Sequence, residues 1–423
     1  MTATFQPAGF TAIVIGDESL TIACGDMLIA GGHAISAVVT RDATVAGWAG
    51  AQGICVLAAP RDLIGAGICA DWLLSIANLR MIPDEVLALP KKGAINFHDG
   101  PLPAYAGLNA PAWAIINGQT AHGVSWHMIE GGVDEGDVLA QKTVDIAPDE
   151  TAFGLNAKCY AAGMESFGAV LSQLEADDIK RRPQDLRQRS YFARDQRPEG
   201  QGVLDLNQPA ATLDALVRGL DFGDYWNPLC LPKLALPGAL LAVAQCDVID
   251  QRAAPGTVIA VSRDSVTLGT ATQVVRLRGL TDMTGAPVDM TTHLAPDDVI
   301  TSAPLPALSV KDEAHWRRVM TTHEPMLLGL AKPATVIPDP RRIALETGTL
   351  TPAQIATVAA LVALRSCGLG AGLLAATGET DNPLAAPWLP LPVSADATLP
   401  VKDAAAMVAA ALARAKNTEG CAA

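Results

Sequence analysis

The chain has 423 residues, half of them apolar and 17% charged, with a mean hydropathy of +0.26. That excludes disorder over most of its length, and at roughly 100–200 residues per domain it asks for two or three domains. Thirty Lys and Arg against 44 Asp and Glu leave a net charge of −14 and a pI near 4.9, a poor starting point for a polyanionic partner.

The eight cysteines are scattered, with no C-x-x-C and no Cys/His cluster, so neither a zinc site nor a disulfide framework is expected. MTATFQPAGF has neither the basic start nor the long apolar stretch of a signal peptide. Apolar runs are short or broken, as by Pro237-Gly238 or Arg365, and none reads as a membrane span. The expectation is a cytoplasmic protein with no membrane and no nucleic acid among its partners.

In chain order, Thr11–Ile15 is a short β-branched run ending at Gly16, and Leu20–Ala30 has helical apolar spacing. Ala34–Val39, Ile54–Val56, Leu73–Ile76, Ala94–Asn96 and Val124–His127 read as further strands. Apolar strands at helix-sized intervals predict a doubly wound, mostly parallel α/β sheet with helices on both faces. The Gly16-Asp17-Glu18-Ser19 turn is not a G-x-G-x-x-G, and two carboxylates at a helix start would repel a phosphate, so no dinucleotide site is expected there.

Lys180, Arg181, Arg182, Arg187, Arg189, Arg194 and Arg197 then crowd together. They read as a solvated interdomain linker, with an anion-binding patch as the alternative. After a helix at Thr212–Gly219, residues 239–305 carry strand and turn signals of a small β-barrel or sandwich. From about 311 the chain reads as helical, and it is Ala/Leu-rich from 351.

The most informative stretch is Ile95–Leu139. Asn96 and His98 lie two residues apart at a strand end, so their side chains share one face. A Pro/Gly-rich loop follows, and 36 residues after His98 a second glycine-rich loop carries Asp134. Loops at the carboxyl ends of parallel strands line ligand crevices. An amide donor, an imidazole and a carboxylate converging there suit acyl transfer between nitrogens. Asn96 and a protonated His98 would stabilise the developing oxyanion, while Asp134 orients the imidazole and manages the proton. The same residue types also fit a hydrogen-bonded structural histidine and a turn-forming aspartate. His122, His127, His293, His315 and His323 have no evident catalytic partner by spacing.

This stretch resembles the signature of the 10-formyltetrahydrofolate-dependent formyltransferases. The matching residues are Asn96-Phe97-His98, Leu102-Pro103, Tyr105, Gly107, Gly123-Val124 and Gly132-Val133-Asp134-Glu135-Gly136-Asp137. The resemblance implies a formyltransferase fold, 10-formyltetrahydrofolate as co-substrate, and Asn96, His98 and Asp134 as the catalytic trio. It also likens Ser75–Pro83 to a pterin-binding strand end. Arg80, Met81 and Ile82 would offer backbone groups to the pterin, with Glu130, Gly131 and Gly132 closing its other side. One departure stands beside the reacting centre: relatives have His-Pro-Ser-Leu-Leu-Pro where this chain has His98-Asp99-Gly100-Pro101-Leu102-Pro103. An acidic Asp99 there would suit an ammonium-bearing acceptor or simply cap a turn.

The resemblance implies three regions: 1–190, a formyltransferase catalytic domain; 191–310, a β-barrel like the family's C-terminal domain; and 311–423, an α-rich lobe. Asp224–Leu234 is similar to formylation domains fused to nonribosomal peptide synthetases. Residues 313–318, 352–365 and 387–391 look like part of a condensation-type domain without its His-His-x-x-x-Asp-Gly motif. The acceptor so implied is the amine of an aminoacyl group on a carrier protein. Amino-sugar nucleotide, methionyl-tRNA and, with water in place of an amine, hydrolysis of the donor are the alternatives.

Overall fold

The computed structural model describes residues 9–301, 319, 349, 351–367, 371–377, 388–394 and 401–417. The N-terminal 1–8, His315, His323, the 313–318 segment and Pro387 lie outside the described residues. Two compact units, residues 1–302 and 303–423, make up the chain.

The first unit is built on a seven-stranded sheet. Its strands are β1 (Thr11–Ile15), β2 (Ala34–Val39), β3 (Val56–Leu57), β4 (Ala70–Ser75), β5 (Pro90–His98), β7 (Ala121–Met128) and β8 (Val138–Asp145). A short β6 (Ala106–Gly107) lies outside this sheet. The order is β3-β2-β1-β4-β5-β7-β8, with β3 through β5 parallel and β7 and β8 added antiparallel. The expected mostly parallel α/β sheet is therefore present.

β1 explains the two-sided packing. Ala12 and Val14 enter one apolar core while Ile13 and Ile15 enter the other, as a period-two strand buried on both faces requires. Helix α1 (Ser19–Ala30) covers the first core with Leu20, Cys24 and Leu28 at i, i+4 and i+8, and the 25-residue helix Ala152–Ala176 adds Leu155, Cys159 and Phe167. The second core is closed by Leu63, Ile82 and Val86. Trp126 is fully buried, tilts against Phe97 at 5.1 Å between ring centroids, and donates through Nε1 to Ser166 Oγ at 3.1 Å. Its burial ties the far face of β5 and β7 to the long helix.

Residues 190 and 191, where the sequence suggests a change of domain, lie inside the first unit, at the start of β9 (Tyr191–Phe192), which pairs parallel with β6. A separate apolar core then gathers Leu204, Leu213, Val217, Leu241, Val266 and Leu277. The region read as a small β-barrel or sandwich holds a two-stranded hairpin, Lys233–Leu236 with Ala239–Ala242. Beside it runs a four-stranded antiparallel sheet of Gln245–Ile249, Val258–Val261, Ser265–Gly269 and Val274–Arg278.

The second unit holds helices Pro352–Cys367 and Val401–Asn417, and an antiparallel pair of strands, Ala371–Thr377 with Trp388–Ser394. The described part of the expected α-rich lobe thus contains strand as well as helix. Among the described residues no helix is long and apolar enough to cross a membrane.

Candidate active site

The antiparallel register of β5 and β7 assembles a polar patch on the sheet face opposite Phe97 and Trp126. Asn96 stands opposite His127, and His98 opposite Ser125. Directly paired residues point to the same side, so Asn96, His98, Ser125 and His127 form a two-by-two block. Ser125 braces the loop after His98: it donates to the Gly100 carbonyl at 2.7 Å and accepts from the Leu102 N–H at 3.1 Å.

His98 is 5% exposed, and its Nε2 lies 2.8 Å from the Tyr105 carbonyl oxygen. A carbonyl only accepts, so Nε2 carries the proton and Nδ1 presents its lone pair. That Nδ1 lies 3.7 Å from Asp134 Oδ2 and 3.8 Å from Asp99 Oδ1. A proton taken up there finds a carboxylate on either side.

Asp134 reaches this point from the loop between β7 and β8. Its Oδ2 accepts from the Gly107 N–H at 2.8 Å, and its Oδ1 lies 3.5 Å from His127 Nε2. Burial opposes the charge, but hydrogen bonding with His127, the nearby His98 ring and the Gly107 N–H outweigh it and hold the pKa at about 2. Two glycines permit this close approach. A Cβ on Gly107, at φ 99°, would stand 2.2 Å from the Phe192 carbonyl oxygen, and one on Gly136 would stand 1.9 Å from that of Met128.

His127 is a site member that spacing does not reveal. Its Nδ1 donates to the Met128 carbonyl at 2.8 Å, which leaves Nε2 facing Asn96 Nδ2 at 3.1 Å as well as Asp134. Unprotonated, Nε2 accepts from the Asn96 amide and fixes which way that amide points. Protonated, it donates to Asp134 instead. Spacing gives His127 no evident partner, and the structure sets it against Asn96 and Asp134, two of the candidate site residues. His122 is different: its Nε2 lies 2.8 Å from the Asp99 carbonyl, and burial holds its imidazole below the ordinary histidine range.

The residues expected to hold a co-substrate divide by environment. Met81 is 77% exposed and Leu79 69%, whereas Ile82 is buried in the second core. Arg80 donates from Nη2 to Asp17 Oδ2 at 2.7 Å, and its Nε and Nη1 are buried with no hydrogen-bond partner among the described residues. Asp17 also accepts from Thr40 Oγ1 at 3.0 Å and from the Arg41 N–H at 2.7 Å, so the acidic first turn ties three strand ends together. Glu130 pairs with Arg181, Gly131 has φ 69°, and the Gly132 N–H donates to Glu135 Oε2 at 3.1 Å.

The basic run is no free linker. Arg181 engages Glu130 and Asp137, Arg189 donates to the Val133 carbonyl at 2.9 Å, and Arg194 to the Leu79 carbonyl at 2.8 Å. Three of its arginines thus reach the two loops beside the polar patch, while Lys180 and Arg187 pair with Asp178 and Asp185 of their own segment.

The sequence pattern of the family described as Formyl transferase matches residues 66–171. A methionyl-tRNA formyltransferase of Geobacter metallireducens is 28% identical over 210 residues, covering 50% of this chain and 65% of that protein. A GDP-perosamine N-formyltransferase of Brucella melitensis is 34% identical over 184 residues, covering 44% of this chain and 68% of that protein. The matched region spans 60–65% of the methionyl-tRNA formyltransferases' own length. Among solved structures, an N-formyltransferase from Helicobacter canadensis in complex with folinic acid and dTDP-3-aminofucose superposes with a TM-score of 0.53 at 15% identity. That match covers 64% of this chain and 99% of the other, a likeness of fold.

Proposed function

Because the chain belongs to the formyl transferase family, we propose that it transfers a formyl group from 10-formyltetrahydrofolate to an amine. The observation that carries this reading is the convergence of Asn96, His98 and Asp134, with His98 Nδ1 set between two carboxylates. The donor supplies a carbonyl carbon bonded to nitrogen, and the protein supplies the rest. When His127 Nε2 is unprotonated it accepts one Asn96 N–H, and the other is left to donate to the formyl oxygen as negative charge develops there. His98 Nδ1 is the atom placed to take a proton from the incoming amine and return it to the departing nitrogen, and Asp134 and Asp99 hold that proton's charge. Leu79, Met81 and Arg80 on one loop and Glu130–Gly132 on the other offer apolar cover, a guanidinium with two nitrogens unpartnered among the described residues, and main-chain groups fit for a pterin with an acidic tail.

For the acceptor we propose an aminoacyl group on a carrier protein. The Asp224–Leu234 stretch supports it through its resemblance to synthetase-fused formylation domains. The engagement of Arg181, Arg189 and Arg194 by the chain's own carboxylates and carbonyls also weighs against a phosphate-rich partner such as tRNA. An amino-sugar nucleotide is the second reading, favoured by the GDP-perosamine relative. The test is incubation with 10-formyltetrahydrofolate and, in parallel, aminoacyl carrier protein, amino-sugar nucleotide, methionyl-tRNA or water alone. Formylation of the carrier-bound amine supports the reading. Formylation of another acceptor with the carrier untouched, or donor hydrolysis unaffected by any amine, overturns the choice of acceptor.

A further inference from the structure

We infer that Gln184 is a positioning residue for Asp134, acting through the main chain of the loop that carries it; the inference rests on Asp134 serving in the formyl-transfer site. Gln184 lies fifty positions downstream, in the middle of the basic run. Its Nε2 donates to the Asp134 carbonyl at 2.9 Å and to the Gly136 carbonyl at 2.6 Å. Both amide hydrogens are thereby used on one loop. Turning the amide over would set its oxygen against two carbonyl oxygens, so its orientation is fixed. Its Oε1 is buried with no partner among the described residues, so the side chain stays put for the sake of its two donors.

The loop needs such a hold. Asp134 sits at φ 57°, in the left-handed region that residues with a side chain seldom enter, and position 136 has no room for a Cβ beside the Met128 carbonyl. Residue 134 is thus gripped twice: by Gln184 at its main-chain carbonyl and by the Gly107 N–H at its carboxylate. A main-chain rotation at residue 134 that carried the carboxylate away from His98 would have to break the Gln184 bonds, and a side-chain rotation would have to break the Gly107 bond. The neighbouring residues extend the grip along the loop. Arg182 and Val138 exchange main-chain hydrogen bonds at 2.8 and 3.0 Å, and Arg189 holds the Val133 carbonyl. The segment 181–189 is a strap across the loop, with Gln184 over its functional residue.

Gln184→Met keeps the side chain's bulk and removes both donors, while Gln184→Glu replaces them with a carboxylate that donates only when protonated. For Gln184→Met the expectation is a kcat loss of about 10²-fold with the donor's KM changed by less than about threefold, since a displacement of about 1 Å in a catalytic group has that cost. The Gly107 amide, whose acceptor is Asp134, should exchange with solvent roughly tenfold faster, an effect on local opening that needs no turnover. The ratio of Gln184→Glu to Gln184→Met activity should rise as the pH falls and the carboxyl gains a proton. Unchanged Gly107 exchange in a folded Gln184→Met protein overturns the inference, as does an activity ratio flat with pH. If the wild-type protein formylates nothing, the proposed reaction fails, and the Gly107 exchange measurement still decides the role of Gln184.

Discussion

The two loops that border the polar patch are held in opposite ways. The loop carrying Asp134 is fastened on every side: Gln184 and Arg189 take its carbonyls, Arg181 its flanking carboxylates, and Gly107 its functional carboxylate. The loop from Ala77 to Ile82 is held along its main chain and at Ile82, with two of its apolar side chains left outside. Asn78 bonds the Arg80 main chain, Arg80 meets Asp17, and Arg194 reaches the Leu79 carbonyl. Leu79 and Met81 project into solvent, and two Arg80 nitrogens have no partner among the described residues. A group that holds charge in a transition state gains from being fixed beforehand, because nothing need reorganise as charge develops. A surface that closes on a ligand keeps its apolar side chains and spare donors until the ligand arrives. On the proposed function, the fastened stretch around Asp134 serves the chemistry, and the open loop, with Glu130–Gly132 facing it, serves binding.

The sharpest way to break that division is Asp134→Asn, which keeps the shape and removes the charge. Turnover should fall by about 10²–10⁴, the range for a lost acid/base partner, while affinity for the donor stays within a factor of about three. Steady-state kinetics together with a direct donor titration measures both. A variant that turns over normally but binds donor poorly would reverse the assignment of the two loops.

Part of this arrangement was legible in the sequence, and the reason lies in range. Asn96 and His98 are two apart on one strand, so their shared face follows from the pleat alone. Asp134 announced itself through the glycines around it, which the structure explains by the closeness of Gly107 and Gly136 to main-chain carbonyls. His127 was missed because its partner is set by strand register. A chain read as a series of parallel strands gives no reason to place residue 127 opposite residue 96, whereas the antiparallel turn of β7 does. The strap was missed because seven basic residues in a row of polar ones look solvated until the acidic loop fifty residues upstream is laid beside them. The strand Ala371–Thr377 hides for another reason. Its Ala/Leu composition favours helix, and pairing with Trp388–Ser394 overrides that preference.

Acid titration sharpens the same contrast at a smaller scale. Asp134 has its pKa lowered from 3.8 to about 2, so its contribution is fully present above pH 3.8 and is lost as the pH falls through about 2. The amount is on the order of 2 kcal/mol. Denaturant unfolding followed between pH 5 and pH 2 should show this loss in the wild type and lack it in Asp134→Asn. Identical pH profiles for the two proteins would mean that the fastened loop stores no such energy.

On the open loop, Arg80→Ala removes the charged side chain that pairs with Asp17 and that the proposed function assigns to the donor. A hydrogen bond to a charged group is worth about 1.5–3 kcal/mol, so donor affinity should fall by about tenfold or more with kcat nearly kept. Loss of kcat at unchanged affinity would move Arg80 from binding into the chemistry.

The smallest effect is expected where the strap looks strongest. Arg181 meets two carboxylates, Glu130 and Asp137, and would count as the main fastening if ion pairs were scored by number. Its side chain is 40% exposed and that of Glu130 48%, so water and salt screen the attraction, and ordering three side chains offsets much of what remains. Arg181→Ala should therefore cost no more than about 1 kcal/mol in unfolding free energy and should leave kcat within about twofold. Gln184 is partly buried and satisfies carbonyls that the loop cannot turn to solvent without changing shape, so the two variants should separate clearly. Measuring both in low salt and again at high salt closes the argument. If Arg181→Ala were as damaging as Gln184→Met in low salt and the difference vanished in high salt, the strap would hold Asp134 by charge. If Arg181→Ala stays mild in both, the hold is the pair of amide hydrogen bonds.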